Sequence, residues 1–238
     1  MVGVVNGSKF RGVITDWGGV LTNPILTQVR AWIEADGIEW ESYRDIMRAW
    51  LAEAYRAEGV RNPVHALERG ECTVAEFERL LAAELLRIDG EAVVADGLLG
   101  RMFASSATVP VMYDLIRAVR RAGFKTGLLS NSWGAQEYPR DDFPGLFDVV
   151  VISGEIGMRK PEEQIFRHAA HALGVPPEEC VFIDDVQANI DAAQACGMTG
   201  VLHRDAAETV AAVRHLLGVP LAGDTPDRNS VRRPAPRH

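Results

Sequence analysis

Four short apolar runs, each ending in polar residues, punctuate the chain at Val13–Asp16, Thr126–Asn131, Val149–Ser153 and Val181–Asp185, with a fifth at Gly200–His203. Short, β-branched runs of this kind predict strands buried on both faces, the pattern of a parallel sheet. Apolar residues recur at helical spacing over Pro110–Arg121, Glu162–Leu173, Ala188–Cys196 and Ala206–Leu217. Thr108 followed by Pro110 marks a helix start, and Gly123, Gly174 and Gly197 sit where helices should stop. The alternation predicts a doubly wound, Rossmann-like α/β fold with a parallel sheet and right-handed crossovers.

The interval between the first two runs breaks this rhythm. It contains amphipathic helical stretches and no strand pattern: Leu26–Ala35, Glu41–Ala57 and Val74–Leu86, the last with Phe77, Leu80, Leu81 and Leu85 on one face. Roughly 80 residues is far beyond an ordinary strand–helix loop. The predicted organisation is therefore a core of residues 1–23 and 106–221, interrupted by a helical domain over 24–105. Residues 222–238 lack apolar periodicity and are expected to be disordered.

Composition narrows the classes. The chain of 238 residues is 47% hydrophobic and 24% charged, which supplies ample material for a core. A net charge of −8 argues against a nucleic-acid face. Cys72, Cys180 and Cys196 share no metal-ligand spacing and read as reduced, buried thiols. The opening MVGVVNGSKFRG lacks the apolar stretch of a signal peptide, and no run approaches membrane-spanning length. The expectation is a cytoplasmic protein without nucleic-acid or membrane partners.

Candidate chemistry collects at the strand ends, where open parallel sheets bind ligands. Asp16, Ser130, Asn131, Asp184 and Asp185 all fall there. Lys160 follows the third strand in GMRKPEEQIF, where Pro161 is expected to open a helix and present the lysine at its positive end. Carboxylate oxygens are hard ligands suited to Mg²⁺. Asp16 could alternatively attack phosphorus as a nucleophile, with Lys160 neutralising charge and Ser130 binding phosphoryl oxygens. Gly18 and Gly19 would let the backbone turn so that a carbonyl near residue 18 reaches the metal.

In that order, DWGGVLT, LLSNS, RKP and FIDD resemble the four motifs of the haloacid dehalogenase (HAD) superfamily of hydrolases, over Asp16 to about Gly200, with residues 24–105 in the position of a type 1 helical cap. The first motif has a DxGG form, in a branch similar to the phosphatase-like domain of soluble epoxide hydrolases. The resemblance implies a Mg²⁺-dependent phosphatase of small phosphorylated molecules acting through an aspartyl-phosphate on Asp16. It makes Lys160 the electrostatic clamp and Ser130 and Asn131 binders of the transferring group. Asp16, the Gly18 carbonyl, Asp184 and Asp185 form the metal site, with Asp185 favoured over Asp184 as direct ligand.

The departure from the family pattern is Gly18, where phosphatases usually carry the acid/base aspartate. Proton transfer by such a group typically contributes about 10²–10⁴-fold. Two alternatives follow: a dehalogenase-like enzyme, whose halide leaves without a proton, and a non-catalytic binding protein that kept the fold.

Taken singly, each residue has an ordinary reading. Asp16 would be a strand-end cap, Ser130 and Asn131 turn residues, Lys160 a solvated lysine, and Asn189 and Asp191 helix-start residues. The adjacent Asp184 and Asp185 are harder to explain without a counter-cation, and Asn189 and Asp191 could support them. Trp32, Trp40, Tyr43, Trp50 and Tyr55, interleaved with Arg30, Arg44 and Arg48, form either a substrate-sorting lid or a helical core with a solvated rim. The same aromatic segment is a candidate interface for a homo-oligomer. Trp133 either lines the pocket or packs the helical domain on the core, and His65, His168, His171 and His203 have no partner motif.

Overall fold

A computed structural model describes residues 8–53, 62–134 and 138–218. Tyr55, the predicted helix beyond Glu53 and the tail over 222–238 lie outside them. Strands β1 (Gly12–Thr15), β2 (Lys125–Ser130), β3 (Val149–Ile152), β4 (Cys180–Asp184) and β5 (Thr199–Leu202) form one sheet in the order β3-β2-β1-β4-β5. Every neighbouring pair is parallel. β1 is central: Thr15 pairs with Leu128 on one side and Ile183 on the other. The chain therefore leaves β1 at Asp16 between the ends of β2 and β4. This is the crevice where connections diverge to opposite sides of the sheet.

Between β1 and β2 run helices α1 (Ile25–Asp36), α2 (Trp40–Glu53), α3 (Pro63–Glu68), α4 (Val74–Glu84) and α5 (Leu98–Met102). The short α3 and α5 have too few turns to give a period in the sequence. α4 starts with a capping box, Thr73 and Glu76 exchanging side-chain-to-backbone hydrogen bonds. On it Phe77 and Leu81 are buried, as is Leu85 just beyond, but Leu80 is 49% exposed. The predicted four-residue face is therefore narrower: Leu80 falls outside the stripe that meets α1, α3 and α5. Buried Val29, Trp32, Ile33, Trp50, Leu67, Phe77, Leu81, Leu98 and Leu99 give this helical insert an apolar cluster of its own.

The remaining helices are α6 (Pro110–Arg121), α7 (Ser153–Ile156), α8 (Glu163–Leu173), α9 (Gln187–Ala195) and α10 (Ala206–Leu217). Successive strand residues point to opposite faces. Val13, Leu128, Val181 and Ile183 bury against Met112, Ile116 and Val119 of α6 and Val213 and Leu217 of α10. Ile14, Leu129 and Phe182 bury against Ile165, Phe166, Ala169 and Leu173 of α8 and Ile190 and Ala193 of α9. Both faces being covered explains why the strands read as unbroken apolar runs.

α6 starts at Pro110 as predicted, and one predicted helix start, that of α8, moves. α6 is preceded by Val109 rather than capped by Thr108, whose backbone instead bridges to Thr22. α8 begins at Glu163, not at Pro161, which follows a cis peptide bond from Lys160. Lys160 therefore does not sit at a helix's positive end, and side chains fix its position instead.

Candidate active site

The predicted site residues converge on one end of the sheet. A cavity of about 240 Å³ is lined by Asp16, Gly18, Ser130, Asn131, Trp133, Lys160 and Asp185 from the core, with Ile25, Glu68 and Phe103 from the helices between β1 and β2. Asp184 lies just behind. One carboxylate oxygen from each of Asp16, Asp184 and Asp185 falls within 4.8 Å of the others.

Lys160 is the hub. Its Nζ stands 2.7 Å from Asp16 Oδ1 and 2.7 Å from Asp184 Oδ2, with the lysine 1% exposed. Burial alone would lower its pKa, but the Asp16 and Asp184 carboxylates hold it above the usual lysine range. Its backbone is tied to Asn131, whose Oδ1 accepts from Lys160 N at 2.9 Å and whose Nδ2 donates to Lys160 O at 3.1 Å. Asn131 thus works through its amide as a clip on the lysine loop, besides facing the cavity.

The two adjacent aspartates differ. Asp184 is saturated: it accepts from Lys160 through Oδ2, from Val186 N through Oδ1, and from Asn189 Nδ2 through both oxygens. Asn189, with the adequate role of a helix-start residue on sequence, holds Asp184 from the first turn of α9. Asp191 instead accepts from Gln187. Asp185 is nearer solvent, and burial together with the Asp184 charge raises its pKa to about 6. Asp16 is raised to about 7, burial outweighing the opposing Lys160, with Asp184 and Asp185 adding to the rise. A single ammonium therefore leaves the three carboxylates under-neutralised. Hard oxygens this close, with Asp16 and Asp185 facing the cavity, fit a divalent cation such as Mg²⁺.

The glycines after Asp16 have distinct reasons. Gly19 has φ +77°, and a Cβ there would overlap the Asp185 carboxylate. Gly18 has an ordinary φ, and a Cβ would stand 3.2 Å from Ile25 Cδ1. The sharp turn belongs to Gly19, so close approach of Asp185 to the β1 loop depends on it.

Ser130 is anchored by a residue that sequence reasoning passed over: its Oγ lies 2.9 Å from the Tyr138 hydroxyl. Tyr138 packs edge-on against Trp17 and Phe143. Trp133 does both things expected of it, lining the cavity and packing edge-on against Phe77 and Phe103 of the insert. Among the described aromatics and arginines of the insert, Trp32 and Trp50 are buried in its own core. Arg30 lies over Trp40, and Arg44 bonds Asp45. Neither arginine, nor Arg48, lines the cavity.

Glu68 and Arg159 were also missed, because LERGE reads as a solvated helix end and the arginine as a neighbour of Lys160. They form an ion pair across the insert–core boundary with side chains 8% and 12% exposed. Arg69 pairs with Glu162, and Ser153 Oγ donates to the Glu68 carbonyl at 2.5 Å. A Cβ on Gly70 (φ +71°) would meet the Gly154 carbonyl at 2.7 Å, so α3 ends in backbone contact with the core.

A parallel sheet in this order, with an insert after the first strand and a lysine bridging two carboxylates, defines a doubly wound α/β protein with an acidic centre at the carboxyl ends of its strands. The family model of haloacid dehalogenase-like hydrolases matches residues 10–197, and the chain belongs to that family. It is similar to glyceraldehyde 3-phosphate phosphatase of Methanopyrus kandleri, 31% identical over 187 residues, 75% of this chain and 72% of that one. It is also similar to bifunctional epoxide hydrolase 2 of Rattus norvegicus, 26% identical over 72% of this chain; the match spans 33% of that protein's length. Among solved structures, a HAD family enzyme from Bacteroides thetaiotaomicron in complex with magnesium and inorganic phosphate shares the fold. Its TM-score is 0.56 at 21% identity, covering 82% of this chain and 94% of that one. Among the described residues no helix is long and apolar enough to cross a membrane.

Proposed function

We propose that the chain is a Mg²⁺-dependent phosphoric-monoester hydrolase acting on small phosphorylated molecules, with residues 24–105 as its cap. The observation that carries this reading is Lys160 bridging Asp16 and Asp184 at 2.7 Å each, with Asp185 beside them. In it Asp16 attacks phosphorus through a carboxylate oxygen, and the P–O ester bond breaks with the leaving group departing as its oxyanion and taking a proton from water. Water then attacks the aspartyl-phosphate to release inorganic phosphate and the Asp16 carboxylate. Lys160 neutralises the nucleophile and the phosphoryl oxygens, and Ser130 donates its hydroxyl to one of them while Tyr138 fixes its rotamer. Asp16, Asp185 and the Gly18 carbonyl would hold Mg²⁺, with Asp184 fixed behind them. Bound there, the ion would supply a Lewis acid that offsets the charge of phosphoryl group and carboxylates.

The similarity to a curated phosphatase supports phosphate over halide as the group transferred. Gly18 keeps the dehalogenase reading in contention, since halide departs without a proton, but three clustered carboxylates favour a metal-assisted anion site. Initial rates with p-nitrophenyl phosphate, with Mg²⁺ and after EDTA, test the proposal. Metal-dependent turnover abolished in Asp16→Asn is expected. Turnover unchanged in that variant removes the nucleophile assignment, and chloride release from 2-chloropropionate without metal selects the alternative.

A further inference from the structure

The part of the cavity lining that the insert supplies has a charge arrangement of its own. Ile25 and Phe103, the latter packed on Trp133 of the core, make it apolar, and Glu68 is its one charged side chain. Glu68 is 6% exposed and its carboxylate is held by the Arg159 guanidinium. Among the described residues lining the cavity the only cation is Lys160, already shared by Asp16 and Asp184. Arg159, next to Lys160 in the chain, is paired with Glu68.

A substrate's leaving group would project from phosphorus toward this wall. A second anion on it would enter an apolar, poorly hydrated space whose nearest side-chain charge is negative. Desolvation without a partner makes that unfavourable. We infer that Glu68 is a specificity-determining residue: by neutralising Arg159 it restricts the enzyme to monoesters whose leaving group carries no second negative charge. The inference rests on the phosphatase reading and goes beyond it by naming the substrate class and the residue that enforces it. Burial raises the Glu68 pKa, while Arg159 and hydrogen bonding from Asn131 pull the other way, and both partners belong to the same arrangement.

The test uses two aryl phosphates of equal size, 4-carbamoylphenyl and 4-carboxyphenyl phosphate, which differ in charge and, to a smaller extent, in leaving-group acidity, a difference that cancels when the ratio is compared between variants. The wild-type enzyme with Mg²⁺ is expected to favour the carbamoyl ester in kcat/KM on the order of tenfold or more. Glu68→Gln releases Arg159, and the ratio should fall toward one or invert. Adding Arg159→Gln to that variant removes the freed cation and should return the preference to the carbamoyl ester. Loss of fold would slow both esters together and could not reverse the ratio and then restore it. A wild-type ratio near one overturns the inference, as does a ratio unmoved by Glu68→Gln or not restored in the double variant. Turnover of neither ester would overturn the phosphatase reading instead. Calorimetric binding of the matching pair of arylphosphonates to the same three proteins then decides the charge selection without catalysis: equal affinities overturn it, and the same reversal supports it.

Discussion

The ammonium of Lys160 lies 2.7 Å from the Asp16 carboxylate at a position where the lysine is 1% exposed. A pair this buried is held by geometry, and removing one partner leaves an uncompensated charge. Lys160→Met should therefore destabilise the fold by about 3–5 kcal/mol. It should also slow phosphate-ester turnover by about 10²–10³-fold. Urea denaturation and initial rates on the same preparation measure both. A fully stable, fully active variant would show that neither carboxylate depends on the lysine.

In the proposed reaction Gly18 would set the leaving-group requirement. Without an acid at that position, aryl and acyl phosphates should be turned over far faster than alkyl phosphates, and rates should rise steeply with leaving-group acidity. A Cβ at position 18 would press on Ile25 Cδ1 at 3.2 Å, the movable end of a side chain. Gly18→Asp combined with Ile25→Ala should therefore raise alkyl-phosphate turnover, toward the roughly 10²–10⁴-fold that a positioned acid contributes. Flat leaving-group dependence in the wild type, with chemistry rate-limiting, would point to another proton donor.

Gly19 is constrained twice, by φ +77° and by the Asp185 carboxylate lying where a Cβ would go. Gly19→Ala should displace Asp185 and weaken Mg²⁺ binding by about 10–100-fold, the usual consequence of disturbing a metal ligand's support. Calorimetric titration of Mg²⁺ into the variant reads this directly, and unchanged affinity would place the metal away from Asp185.

His65 makes one contribution to the pH dependence of stability. Burial, with Arg159 and Arg69 nearby, lowers its pKa from 6.5 to about 4. Between those values the unfolded chain binds a proton that the folded one refuses. The contribution is thus present above pH 6.5 and lost as pH falls through about 4. Raised carboxyl groups such as Asp16 and Asp185 act with the opposite sign over the same range, so the comparison is between variant and wild type. Removing the imidazole in His65→Gln should make the urea midpoint rise more, or fall less, on acidification from pH 6.5 to 4. An identical pH profile in variant and wild type would contradict the burial of the imidazole.

The sheet was legible because each strand is covered on both sides, so Val13 and Ile14, or Leu128 and Leu129, are apolar whichever face they take. The polar residues ending those runs were legible as candidates for the same reason: after an apolar strand, a carboxylate or amide stands out. Glu68, Arg159 and Tyr138 were not, since a charged residue at a helix end and a tyrosine in a polar loop look like ordinary surface.

From sequence alone came the parallel sheet, the long helical interruption and the strand-end position of Asp16, Ser130, Asp184 and Asp185, because burial periodicity is a local property. Tertiary structure alone decided what those residues meet. It drew Lys160 onto two carboxylates 144 and 24 positions away. It saturated Asp184 while leaving Asp185 toward the cavity, and it set Glu68 against Arg159 across the insert–core boundary. Charges separated by that much chain acquire a partner only when packing brings them together and excludes the water that would otherwise solvate each one.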